Sequence, residues 1–317
     1  MKILVLREGV HGTNASDYAA ELRDRLPDHD IVHARTPSEE RAEITDAAVA
    51  TGTEITADLL DRAEELRLFA GAYAGHGHLP LNALESHGVG LTNAAGVHAP
   101  NIGEYVVGAL LSHVRGFQQA YRQQDRREWQ PVPVTELAGS TVTVVGLGNI
   151  GQAVVERLDP FDVETVGIRA SPDLGGPADT VVGPDSLHDA LAESAAVVLA
   201  CPLTDATRGL IGDDELTTMP TESVLVNVAR GPVVDTDALL DAIRNDRIGG
   251  ATLDVTDPEP LPPEHPLWTL SAVQITPHNA GSTPRYYERL AEIVGTNVDC
   301  VERGGWGVDL DNVVIEP

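Results

Sequence analysis

The stretch "TVTVVGLGNIGQAVVERL", residues 141–158, decides the fold. "TVTVV" reads as a buried strand, and "NIGQAVVERL" reads as an amphipathic helix. Between them lies Gly146-x-Gly148-x-x-Gly151. A strand that runs into this glycine spacing and then into a helix is the arrangement that holds a dinucleotide. The first glycine permits a tight turn, the second lets the backbone approach a pyrophosphate, and the third lets helix and strand pack closely. Asn149 and Ile150 stand in the first turn of the helix, where free N–H groups and the positive dipole end meet the phosphates. Gly146, Gly148, Asn149, Ile150 and Gly151 are therefore candidate cofactor-binding residues.

Outward from this stretch the chain alternates apolar strands with helical segments. Downstream, strands are predicted near 163–169, 195–200, 223–228, 250–255 and 273–276, with helices between most of them, including "DALLDAIRND" at 237–246. Upstream, "KILVL", "DIVHA", "AAVAT", "LRLFAG" and "VGLTN" read as strands, and residues 15–26 as a helix. This rhythm predicts an α/β protein with two doubly wound parallel-sheet domains, one of them a Rossmann dinucleotide-binding domain. Residues 101 to about 129 read as one long two-faced helix. A last helical stretch, 284–302, follows the final strand of the nucleotide domain and is expected to return to the first domain. The expected division is 1–97 plus 280–317 for one domain and 98–279 for the other.

Composition narrows the function. The 317 residues are 42% hydrophobic, enough for two cores, and carry 49 acids against 21 bases for a net charge of −28. Such a surface repels phosphate backbones, so nucleic-acid partners are not expected. No apolar run reaches the roughly 20 residues of a membrane helix. The start, "MKILVLREGV", lacks the layout of a signal peptide, so a cytoplasmic location is expected. Lys2 is the only lysine, and the acids are scattered over helical stretches. The surface fits adaptation to a salt-rich, halophilic cytoplasm, where cations screen self-repulsion; an acidic enzyme of ordinary habitat is the alternative. Cys201 and Cys300 make neither a disulfide framework nor a zinc cluster, and no metal is expected.

Arg169 ends the strand "VGIRAS", 166–171, and lies 18 residues beyond Gly151. That is close to the spacing of the residue that reads the adenosine ribose. An acid there accepts from the 2′-hydroxyl, whereas a guanidinium pairs with a 2′-phosphate. With the Ser171 hydroxyl beside it, Arg169 predicts NADPH as the preferred cofactor; Asp173 nearby leaves NADH open as a second. Three further segments place chemistry after strand ends. "VNVARG" carries Arg230, "GATLDVTDPEP" carries Asp254 and Glu259, and "VQITPHNAG" carries His278. Ligands of open α/β sheets bind at that edge. Arginine can clamp a carboxylate bidentately, and histidine exchanges a proton near neutral pH. A glutamate beside the histidine orients the ring. The three residues together predict acid–base work on a small anionic substrate.

The chain resembles the D-isomer-specific 2-hydroxyacid dehydrogenases over nearly its full length. The residues that carry the likeness are "GLGNIG", "CPLT", "NVARG", "ATLDV", "EPLP", "HPLW" and "TPHNAG", in the family's order and spacing. The resemblance implies reduction of a 2-keto acid to a D-2-hydroxy acid, with the substrate between the two domains. It implies that Arg230 binds substrate, that His278 is the general acid/base and that Glu259 is its partner. It implies that Asp254 holds the nicotinamide carboxamide and that Cys201, Pro202, Thr207, Val228 and Ala229 line the cofactor groove. It implies a substrate loop whose backbone N–H groups grip a carboxylate, here Ala74 and Gly75. At Gly77 the chain departs from the family, which often has an aspartate there; His76 and His78 flank it without a third metal ligand. The helix from Asn101 corresponds to the family's dimer element, so a homodimer is implied. Because the chain ends near the catalytic core, no regulatory extension like that of many phosphoglycerate dehydrogenases is expected, and Glu259 stands where formate dehydrogenases carry glutamine. Glyoxylate/hydroxypyruvate and phosphoglycerate dehydrogenases remain alternatives within the family, and NAD(H)-sensing co-repressors an alternative outside enzymes.

Overall fold

The computed structural model describes residues 1–317 and divides into two compact units, Met1–Val97 with Thr283–Pro317, and His98–Ser282. The first unit begins with β1 (Lys2–Val5), α1 (Ala15–Arg25), β2 (Asp30–His33), α2 (Pro37–Glu43), β3 (Val49–Gly52), α3 (Ala57–Leu60), β4 (Leu68–Gly71), α4 (Leu81–Ser86) and β5 (Gly90–Thr92). Helices α1, α2 and α3 start at Asn14, Thr36 and Thr56, whose side chains accept first-turn N–H groups. The strands run parallel in the order β5-β4-β3-β1-β2, with Ile3 of β1 paired to Ile31 on one side and Val49 on the other. A final strand, Val313–Ile315, adds antiparallel to β5. It went unpredicted because three half-buried residues at an edge carry no periodic signal. The last helix, Tyr286–Gly304, buries Leu290, Val294 and Val298 in the same core as Tyr18, Ala19 and Leu22 of α1.

The second unit contains α5 (Ala99–Val114), α6 (Phe117–Asp125), β6 (Thr141–Val145), α7 (Asn149–Leu158), β7 (Glu164–Ile168), β8 (Thr180–Val182), α8 (Leu187–Glu193), β9 (Ala196–Leu199), α9 (Asp213–Thr218), β10 (Val224–Asn227), α10 (Thr236–Arg244), β11 (Gly250–Leu253) and β12 (Val273–Ile275). Its seven parallel strands lie in the order β12-β11-β10-β9-β6-β7-β8. Strand order reverses between β6 and β9, the switch point at which open sheets bind ligands. Strands β9, β10 and β11 are buried along their whole length, which fits their unbroken apolar runs. The single helix expected over 101–129 is two helices. The break is at Gly116, whose φ of +62° is left-handed and whose N–H closes on the carbonyl of His113. No helix in the protein is long and apolar enough to cross a membrane.

Candidate active site

The glycine turn after β6 is built by close approach. Gly146 has φ +98°, and a Cβ there would stand 2.6 Å from the Cα of Cys201, which follows β9. A Cβ on Gly151 would lie 1.8 Å from the Gly146 carbonyl oxygen. Gly148 is different: nothing lies within 4 Å of its missing Cβ, so its backbone is open to an incoming group. Gly148 is also the N-cap of α7 and offers no side-chain hydrogen bond. The first-turn N–H groups of Asn149, Ile150 and Gly151 thus start a helix that no side chain caps. These features fit the pyrophosphate of a dinucleotide.

Around this turn, burial pushes the Cys201 thiol above its usual range, which suits packing rather than reactivity. The Thr207 hydroxyl donates to the Pro202 carbonyl at 2.6 Å and accepts the Thr204 N–H at 2.8 Å, closing the loop after β9. Val228 and Ala229 are buried at the end of β10. Arg169 is the first residue past β7 and is half-buried, with Nη1 donating to the Gly175 carbonyl at 2.6 Å. Its guanidinium has five N–H donors, so most remain for another partner. Ser171 and Asp173 are exposed in the short turn that follows.

Three neighbouring strands deliver the remaining residues. Arg230 follows β10, Glu259 follows β11 and His278 follows β12. The structure brings the last two together: His278 Nδ1 and Glu259 Oε1 are 2.7 Å apart. The carboxylate can only accept, so Nδ1 carries the proton and Nε2 is left for a reactant. Arg230 is exposed and folds Nη1 onto the Ala229 carbonyl at 2.6 Å. Asn227, which sequence reading missed, shapes this turn. Its side chain accepts from Ala229 N and donates to the Arg230 carbonyl, at 3.0 and 3.1 Å. The signal was a buried polar residue at the end of an apolar strand.

Asp254 is only 3% exposed. Oδ1 accepts from the Thr276 hydroxyl at 2.6 Å and from Asn279 N at 2.8 Å, and Oδ2 from Ala280 N at 2.9 Å. The carboxylate therefore grips the turn that carries His278, a residue with φ +52°. In the other unit, Ala74 and Gly75 are exposed beyond the end of β4, with open space at Gly75 and Gly77. Asn93 donates to the Ala74 carbonyl at 2.8 Å and steadies that loop. His78 pairs with the Thr53 carbonyl at 2.8 Å.

Residues 107–280 match the family model described as the D-isomer specific 2-hydroxyacid dehydrogenase NAD binding domain. A glyoxylate reductase from Thermofilum pendens is 35% identical over 262 residues, 79% of this chain and 76% of that protein. A D-3-phosphoglycerate dehydrogenase from Methanocaldococcus jannaschii is 30% identical over 90% of this chain and 56% of its own. The solved D-isomer specific 2-hydroxyacid dehydrogenase of Xanthobacter autotrophicus Py2, in complex with NADPH and MES, superposes with a TM-score of 0.75 at 28% identity, covering 98% of this chain and 97% of that one.

Proposed function

The chain belongs to the D-isomer specific 2-hydroxyacid dehydrogenase family, and from that premise we propose that it reduces a 2-keto acid to the D-2-hydroxy acid with NADPH preferred over NADH. The observation that carries the reading is the 2.7 Å contact between His278 and Glu259, next to the strand that presents Arg230. We assign dinucleotide binding to His98–Ser282 and substrate binding to the other unit. Gly146, Gly148 and the first turn of α7 would hold the pyrophosphate, and Arg169 with Ser171 the adenosine ribose phosphate. The bound dinucleotide supplies a hydride equivalent.

The protein's own residues handle charge and protons. Arg230 would clamp the substrate carboxylate, and the exposed loop with Ala74 and Gly75 would supply backbone N–H groups for substrate binding. Glu259 fixes the His278 ring through Nδ1, and in the reduction the doubly protonated ring gives its Nε2 proton to the keto oxygen, leaving a neutral imidazole. In the reverse direction neutral Nε2 takes the hydroxyl proton. Arg230 also stabilises the negative charge that grows on that oxygen. We further read the chain as a cytoplasmic homodimer. Phe117, Tyr121 and Trp129, 44%, 64% and 101% exposed, line the segment after α5, and free Cys201 and Cys300 suit a reducing compartment. The charge of −28 supports a salt-rich setting.

A steady-state screen of 2-keto acids, glyoxylate included, with each cofactor and at low and molar salt, tests the activity. Absence of turnover throughout would refute it. Replacing His278 by alanine should lower kcat roughly 10²–10⁴-fold, the range of positioned proton transfer, while dinucleotide binding survives. Near-normal turnover in that variant would remove His278 from its role.

A further inference from the structure

The turn that carries His278 is held by one carboxylate, and that carboxylate is reached by a hydroxyl chain that begins on another element. Tyr105 stands in the first half of α5, half-buried, with its hydroxyl 2.6 Å from Thr276 Oγ1. Thr276 Oγ1 donates to Asp254 Oδ1 at 2.6 Å. A threonine hydroxyl has one hydrogen, so Tyr105 must be the donor in the first contact. Burial, reinforced by the charge of Asp254, pushes the Tyr105 phenol up to about 12, so its proton stays on oxygen at any working pH.

From Asp254 the chain spreads into backbone. The carboxylate takes the N–H groups of Asn279 and Ala280, and the Asp254 carbonyl takes the His278 N–H at 2.8 Å. His278 lies between these anchors with a left-handed φ that a non-glycine residue adopts only when its surroundings impose it. Hydroxyl chains of this kind polarise one another, and a fully satisfied one fixes a single arrangement.

We propose that Tyr105 is a positioning residue for the acid–base histidine: it orients the Thr276 hydroxyl on Asp254, and Asp254 holds the backbone turn on which His278 stands. The catalytic part of this inference rests on the role proposed above for His278; the clamp itself does not.

Tyr105→Phe keeps the ring and removes the hydroxyl. It should lower kcat about 2- to 12-fold, the worth of one buried hydrogen bond, with little change in KM for either substrate. Amide hydrogen exchange at Asn279 and Ala280 should quicken by a similar factor while α5 exchanges as before. Thr276→Val should reproduce the effect, Thr276→Ser should retain wild-type exchange, and Tyr105→Phe combined with Thr276→Val should be no worse than Thr276→Val alone. Unchanged exchange at residues 279 and 280 in Tyr105→Phe, additive losses in the double variant, or a serine no better than valine would overturn the proposal. Should Tyr105→Phe not fold, the serine and valine pair at position 276 decides it. A protein that turns over no 2-keto acid sinks the oxidoreductase reading, whereas the exchange experiment still judges the clamp.

Discussion

Replacing Arg169 by aspartate should reverse the cofactor preference. In the structure Arg169 leaves β7 half-buried, its Nη1 anchored on the Gly175 carbonyl at 2.6 Å and its backbone N–H on the Val182 carbonyl at 3.1 Å. The anchor uses one of five donors and presets the guanidinium, so a 2′-phosphate can be met without breaking it. A charge-assisted hydrogen bond contributes about 1.5–3 kcal/mol, which corresponds to roughly 10- to 150-fold in affinity. Arg169→Ala should therefore raise KM for NADPH by about that factor and leave NADH nearly unchanged. Arg169→Asp should raise it further through repulsion, and NADH should improve because a carboxylate accepts from ribose hydroxyls. Salt supplies a second signature. The Debye length falls from about 10 Å at 0.1 M to about 3 Å at 1 M. Added salt should therefore weaken NADPH binding in the wild type and strengthen it in Arg169→Asp. The assay is kcat/KM for both cofactors in the three proteins at low and molar salt. A ratio of NADPH to NADH efficiency that is the same in all three would refute the argument and leave Arg169 as a brace for the 170–175 turn.

Two further outcomes are expected. With a net charge of −28, the melting temperature should climb from low to molar salt as repulsion is screened; a flat profile would remove the salt-adapted reading. His113, on α5, is pushed down to about 4 by burial, with its Nε2 at 3.0 Å from the Thr252 hydroxyl. Its folded value lies below the unfolded one near 6.5, so below that pH the unfolded chain takes a proton the folded one refuses. Stability is lost from there down to about pH 4 and then levels. Between pH 7 and 5 the wild type should lose ~2 kcal/mol more than His113→Gln in urea unfolding. Equal losses in the two proteins would contradict this.

Much of the site was legible as local pattern. A strand, a glycine spacing and a helix occupy residues 141–158, and most of the constraints that shape this glycine turn act within a few residues. The exception, contact between Gly146 and Cys201, arises because β6 and β9 are neighbours at the switch point. Arg230, Asp254 and His278 were legible as residues just past strand ends, since strand ends are visible in apolar runs. The break at Gly116 was not, because the flanking residues keep helical periodicity on both sides and only the left-handed backbone of one glycine separates them.

By itself the sequence determined most of the strands and helices, the parallel run of their main strands, and which polar side chains stand at one edge; it left out the strand Thr180–Val182, the antiparallel strand Val313–Ile315 and the break at Gly116. Those properties follow from short-range periodicity and from the residues that backbone turns require. The pairing of Glu259 with His278, across 19 residues, was expected from the sequence and the family resemblance, and the structure shows it. The contact of Tyr105 with Thr276, across 171 residues, was decided by tertiary structure alone. Contacts of that separation depend on the order in which strands lie side by side and on where a helix crosses them. That order is settled by the packing of whole sheets, and no local window of sequence contains it.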